Sequence, residues 1–142
     1  MGVGGSVNLS EAPSDYVPGA VYTLMVQVAM PGQQRWGFEA TALKTDGKGA
    51  GDLIVTNAAN TRLKVDAARS RTYIEQTRPG TMAGQKDVGP VFRFDWKAPD
   101  AGSGPVTFYA AGNAANGDGA TSGDFIFTTS AFPGRAAYPR PR

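Results

Sequence analysis

The chain has 142 residues, 41% of them hydrophobic and 18% charged, with a net charge of +2. This describes one globular domain and argues against a disordered segment or a basic nucleic-acid surface. There is no Cys and no His, which excludes a disulfide framework, a thiolate nucleophile, a Ser-His-Asp triad and the commonest transition-metal ligands.

The opening MGVGGSVNLS lacks the charged and apolar regions of a signal peptide, and no stretch reaches the roughly 18 apolar residues of a membrane span. If the protein is exported, the sequence is expected to begin after its signal or to be a fragment. Within that opening, SVNLS alternates weakly and predicts a short edge strand; Asn8-Leu9-Ser10 also fits a glycosylation sequon. EAPSDYVPGA follows as turn chemistry. VYTLMVQVAM then places Tyr22, Leu24, Val26, Val28 and Met30 on one face with a period of two. After PGQQ, the run WGFEATAL sets Trp36, Phe38, Ala40 and Ala42 on one face, and the two runs are expected to pair as a hairpin.

KTDGKGAG predicts a turn, DLIVT a short strand, and TRLKV a run with Leu63 and Val65 between charged neighbours. RTYIEQT is a further β-rich run. NAANTRLKVDAARS has room for a single helical turn, and residues 78–89 predict a loop. VFRFDWKAP alternates most cleanly: Phe92, Phe94 and Trp96 point inward, while Val91, Arg93, Asp95 and Lys97 face water. Burying three such rings supplies roughly 5–9 kcal/mol gross. PVTFYAAG and DFIFTTSAF form the closing pair, on either side of a small, polar, Gly-rich connection. The tail PGRAAYPRPR is expected to be extended.

No long window has a helical period. The expected architecture is all-β, an antiparallel immunoglobulin-like β-sandwich of about seven to nine strands without substantial helix, with a closed barrel as runner-up. The expected domain covers residues 1–132, and residues 133–142 form a Pro/Arg-rich tail.

YVPGAVYTLMVQV, GFEATAL and RTYIEQT, followed by FDWKAP, VTFYAAGNAANGDG and SGD in that order and spacing, resemble the Reelin-type (reeler) domain, whose bacterial version is the choice-of-anchor V domain. The resemblance runs from about Val7 to Ser130. It implies an immunoglobulin-like sandwich in an exported or surface-attached protein, used as a structural or adhesive module, with no catalytic residues to carry over. Animal relatives bear disulfides that this chain lacks. Bacterial relatives often follow a Cys-x-x-Cys-His haem site, which is also absent here.

Several residues are candidates for chemistry. Asn113, Asn116, Asp118, Ser122 and Asp124 offer side-chain oxygens to a calcium ion, while a ligand-free Asx-rich turn accounts for the same residues. Asn113, Asn116, Asp118 and Asp124 are taken as the candidate metal set. Asp46 and Asp52 form a second acidic pair, in a segment that also reads as a plain turn. Trp36 and Trp96 are expected in the core, which leaves Tyr16, Tyr109 and Tyr138 as candidates for exposed contacts, with a tyrosine braced against a loop as the ordinary alternative. Glu39 and Glu75 form a conceivable glycosidase pair but fall on polar strand faces. The G-x-G fragments lack the Lys-Ser/Thr of a phosphate loop.

The expected function is a non-enzymatic, exported structural or interaction module found outside the cell, at its surface or in the periplasm. Its partners would be another protein, its own copies or a cell-surface polymer, with no cofactor, no nucleic acid and no membrane span. SVNLS and the tail are the expected contact points. The alternatives are a calcium- or carbohydrate-binding module on residues 113–124 and an accessory subunit of an extracellular or periplasmic haem or photosynthetic complex.

Overall fold

The computed structural model describes residues 6–13, 15–81, 85–115 and 125–134. These form nine strands: β1 (Ser6–Ser10), β2 (Val21–Ala29), β3 (Arg35–Lys44), β4 (Asp52–Ile54), β5 (Thr61–Asp66), β6 (Arg71–Gln76), β7 (Val88–Lys97), β8 (Val106–Ala115) and β9 (Phe125–Gly134). Every pairing between them is antiparallel. The smaller sheet runs β1-β2-β7-β4 and the larger β5-β6-β3-β8-β9. The sheets stay open at their ends, so the domain is a β-sandwich and not a closed barrel. Two 3-10 turns, Ala67–Arg69 and Pro79–Thr81, are the only helical segments among the described residues. None of those residues forms a helix long and apolar enough to cross a membrane.

The period of two sorts the strands as expected. Leu24, Val26 and Val28 of β2 and Phe92, Phe94 and Trp96 of β7 are buried on the inner face of the smaller sheet. Trp36, Phe38, Ala40 and Ala42 of β3 and Phe108, Ala110 and Ala114 of β8 answer them from the larger sheet. The rings of Phe38 and Phe92 stack across the interface with centroids 4.3 Å apart, and Trp96 meets Phe108 edge-on at 4.7 Å. Gly112 allows close approach: a Cβ there would lie 2.5 Å from a methyl of Val28.

The expected hairpin of β2 and β3 does not form. β2 pairs with β1 and β7, and β3 with β6 and β8, so the short connection between them crosses from one sheet to the other. Two apolar faces of period two are equally satisfied side by side in one sheet or face to face across a core. The corner decides between these. Gly32 has φ +86, its N–H donates to Asp87 Oδ1, and Asp87 also joins its main chain to Met30 and Gln33. This ties the corner to the start of β7. Residues 135–142 of the expected tail lie outside the described residues.

The stacked rings make a direct stability prediction. Phe92→Ala should cost about 3–5 kcal/mol in denaturant unfolding, whereas Val21→Ala, at a position 54% exposed, should cost only about 0.5 kcal/mol.

Candidate functional site

The outer face of the larger sheet brings charged, aromatic and small residues of four strands into register. On β3, Phe38, Ala40 and Ala42 point inward, which turns Gly37, Glu39 and Thr41 outward. Register then builds rows across the sheet. Arg62 of β5 lies opposite Glu75 of β6, Glu75 opposite Glu39 of β3, and Glu39 opposite Ala111 of β8. One step along, Lys64 lies opposite Tyr73 and Thr41 opposite Tyr109; one step the other way, Gly37 lies opposite Asn113.

These rows enclose a shallow two-lobed groove. One lobe, of about 150 Å3, lies among Glu39, Thr41, Tyr73, Tyr109 and Ala111. The other, of about 240 Å3, lies among Gly37, Glu39, Glu75, Gln76 and Asn113. Glu39 and Ala111 belong to both. The floor is low because Gly37 and Ala111, which face outward, have little or no side chain. Gly37 also has a local reason to be glycine: Gln76 Oε1 accepts the Phe38 N–H at 2.8 Å, and a Cβ on Gly37 would sit 3.2 Å from that amide. The Gln76 side chain thereby substitutes for a main-chain partner where the β3–β6 ladder ends.

The polar groups of the groove are partly engaged. Arg62 Nε binds Glu75 Oε2 at 2.8 Å, and Lys64 Nζ reaches Glu39 Oε2 at 3.9 Å. Each carboxylate thus has a cation on its β5 side. Thr41 Oγ1 donates to Thr72 O, and Arg71 Nη1 donates to the Tyr73 hydroxyl. Tyr109 is 44% exposed and presents its ring to solvent. Two carboxylates, each with its own cation, in a wide open groove make a hydrogen-bond-accepting surface. They do not form the enclosed acid and nucleophile pair that glycoside hydrolysis needs.

The sequence candidates fall out as follows. Asn113 is exposed but lies within β8, opposite Gly37, and not in a loop. Asn116, Asp118, Ser122, Asp124 and Tyr138 lie outside the described residues. Trp36 and Trp96 are core residues, with Nε1 groups donating to Gln85 O and Ala50 O. Tyr16 takes the loop-bracing alternative and not the exposed one: it is fully buried, packs edge-on against Trp96, and its hydroxyl donates to Gly104 O at 2.6 Å. Its place in a turn segment concealed this, because a tyrosine there can swing inward and brace a distant loop. Tyr73 gave no sequence signal beyond membership of a β-rich run.

Asp46 and Asp52 divide between a turn and a strand. Asp46 Oδ1 accepts the Lys48 N–H, which closes the turn where Gly47 takes φ +82. That hydrogen bond, aided by the charges of Lys44 and Lys48, holds the Asp46 carboxyl below its ordinary value of 3.8. Among the described residues, no three Asp or Glu side chains converge as a metal-binding group.

The domain is an antiparallel β-sandwich with a shallow groove on the outer face of its larger sheet, and its fold is that of the reeler domains. It is similar to the human F-spondin reeler domain at 18% identity and TM-score 0.57, covering 90% of this chain and 87% of that one. AvmM, which catalyses macrocyclization in alchivemycin A biosynthesis, is similar at 12% identity and TM-score 0.57, covering 97% and 91%. The full-length major pilin SpaD from Corynebacterium diphtheriae is similar at 14% identity and TM-score 0.57, covering 90% of this chain and 34% of the pilin. No family model and no curated protein matches the sequence. A fold shared equally by an F-spondin domain, a macrocyclization catalyst and a pilin leaves function to be argued from the surface.

Two measurements check this electrostatic picture. A double-mutant cycle on Arg62 and Glu75 should give a coupling of about 0.2–1 kcal/mol that shrinks with added salt, because Arg62 is largely exposed. Asp46 should titrate below 3.8 by NMR. Because its folded value is depressed, its stabilising contribution is complete above 3.8 and disappears as pH falls through the folded value. Asp46→Asn should remove that part of the acid limb.

Proposed function

We propose that the chain is a non-enzymatic, exported interaction module whose working surface is the outer groove of the larger sheet, and that this groove takes a neutral glycan chain. The observation that carries this reading is the half-exposed ring of Tyr109 in a small-residue groove beside Glu39. An aromatic ring with a flat open approach suits the C–H face of a sugar. Carboxylates accept hydrogen bonds from vicinal hydroxyls, and the Asn113 amide adds donors.

Charge supports a neutral ligand over an ionic one. Glu39 and Glu75 are offset by Lys64 and Arg62, so a ligand with net charge would gain little Coulombic energy there. Two lobes sharing Glu39 and Ala111 suit successive sugar rings better than one bulky molecule. The likeness to a reeler domain and a pilin supports an extracellular module. The absence of His and Cys from the whole sequence and the open, ion-paired carboxylates weigh against the catalytic alternative that AvmM represents.

Short oligosaccharides of glucose, mannose and N-acetylglucosamine provide the test, read by amide chemical shifts. Binding of at least one series should move the signals of Thr41, Tyr109, Ala111 and Asn113. Tyr109→Ala should weaken it by about 0.5–1.5 kcal/mol, roughly two- to twelvefold, without lowering the melting temperature. If none of the three series shifts these residues, the glycan reading fails.

A further inference from the structure

Among the described residues the two sheets present four edges, and natural sheets protect such edges by keeping the strands there short or charged. The smaller sheet ends on β1, of five residues, and β4, of three. The larger ends on β5, of six residues, and β9, of ten. β5 carries Arg62, Lys64 and Asp66, so three of these edges are short or charged. β9 is neither. Its sequence FIFTTSAFPG holds no Asp, Glu, Lys or Arg, and the aromatic and β-branched residues at its start are those that strands favour. Pro133 withholds a ladder donor only near the end of the strand, which leaves residues 125–132 as an unbroken run.

β9 pairs with β8 along one side and ends the sheet on the other. β1 approaches it from the smaller sheet but gives its own ladder to β2, so no other described strand pairs with β9. A long neutral edge of this kind accepts another strand, and an uncharged edge meets its own copy without repulsion. The sequence turns charged directly outside the strand, with Asp124 before it and Arg135 after it. Two copies running antiparallel therefore set unlike charges at each end of the pair, whereas parallel copies set like charges together. The antiparallel arrangement is also the one that a two-fold axis generates, with the same patch used on both copies.

We infer that β9 is a dimerisation edge: two copies of the chain join their five-stranded sheets into one continuous sheet by antiparallel pairing of β9 with β9. The pairing closes on itself. Both β9 edges are used up, and the joined sheet ends at each side on β5, whose Arg62 and Lys64 discourage further addition. The two-fold axis stands perpendicular to the joined sheet. It brings the two outer grooves to one side, about 24 Å apart from β3 to β3 at roughly 4.8 Å per strand. This goes beyond the interaction-module reading and uses an edge apart from the glycan groove, so either can fail without the other.

The test is the mass of the full chain by light scattering over a wide concentration series. The expected mass at high concentration is twice the 14.8 kDa of one chain, and amide hydrogen exchange in residues 125–132 should slow as the dimer fills. Thr128→Lys with Ser130→Lys, at positions opposite Ala111 and Tyr109 in the ladder, brings like charges together near the two-fold axis. This pair should weaken association at least about tenfold, with a melting temperature no lower than that of the dilute unaltered chain. Thr128→Lys alone should give a smaller loss should the pair disturb the fold. Asp124→Arg should also weaken the dimer, and adding Arg135→Asp should restore it. The same lysine pair on β1, Asn8→Lys with Ser10→Lys at exposed positions, should change nothing. The inference is overturned if the chain stays monomeric at every concentration, if protection falls on β1, β4 or β5 instead of β9, or if the β9 lysines leave association intact. Loss of the dimer with the β1 lysines, growth beyond the dimer, or failure of Arg135→Asp to restore it overturns it equally.

Discussion

Trp96 is the residue on which the rest of the sandwich depends. It sits at full burial in the middle of the smaller sheet, opposite Tyr22 of β2 on one side and Leu53 of β4 on the other. Its ring takes Phe108 of the larger sheet edge-on and Tyr16 from the preceding loop edge-on, arrangements that add to plain area burial. Its indole N–H would be costly to bury unpaired, and the carbonyl of Ala50 receives it. That bond fixes the path of the chain into β4. Gly51 completes the constraint: with φ +67 and a Cβ position 2.2 Å from Lys97 O, only glycine fits where the chain passes the β7 edge. One side chain thus ties together both sheets, the N-terminal loop and the entry to the smallest strand.

The fold was legible where burial is one-sided. Alternation in VYTLMVQVAM, WGFEATAL and VFRFDWKAP identifies inner and outer residues correctly at nearly every position, because a strand with one wet face leaves its period in the sequence. Pairing partners were not legible in the same way. The pattern that places Val28 and Phe38 inside says nothing about whether their strands lie side by side or face to face. The choice between these rests on the Gly32–Asp87 corner, a contact between residues 55 positions apart. Long-range contacts of this kind have no local signature.

The candidate site shows the same division. Glu39 and Tyr109 were legible as outward-facing groups, since each follows from its strand's alternation. The groove was not, because it arises from the juxtaposition of small residues on β3 and β8 with groups on β6, set by register between distant segments. For Tyr16 the sequence left exposure and a loop brace open: its neighbours are turn-formers, but its own ring is drawn into the core by Trp96 and its hydroxyl by Gly104. Of the calcium set, Asn113 lies on the face of β8, which extends through Ala115, and the other three residues lie outside the described ones.

Unequal sheet width gives the domain two different faces from one arrangement. Because the larger sheet overhangs at β5, the outward side of that strand is free to carry Arg62 and Lys64, which neutralise the two glutamates of the groove. The inward side of the same strand is left with Leu63 and Val65 uncovered. A fifth strand in the smaller sheet would bury those two residues and leave the outer ion pairs untouched, since neighbouring residues on a strand point to opposite sides. The two sides of β5 are therefore chemically independent, the outer one polar and compensated, the inner one apolar and uncovered. A pilin, a reeler domain and a macrocyclization catalyst share this fold, and here the core centred on Trp96 makes no demand on either outer face. In this chain the alternation of Arg62, Leu63, Lys64 and Val65 writes a different chemistry onto each side of a single edge strand.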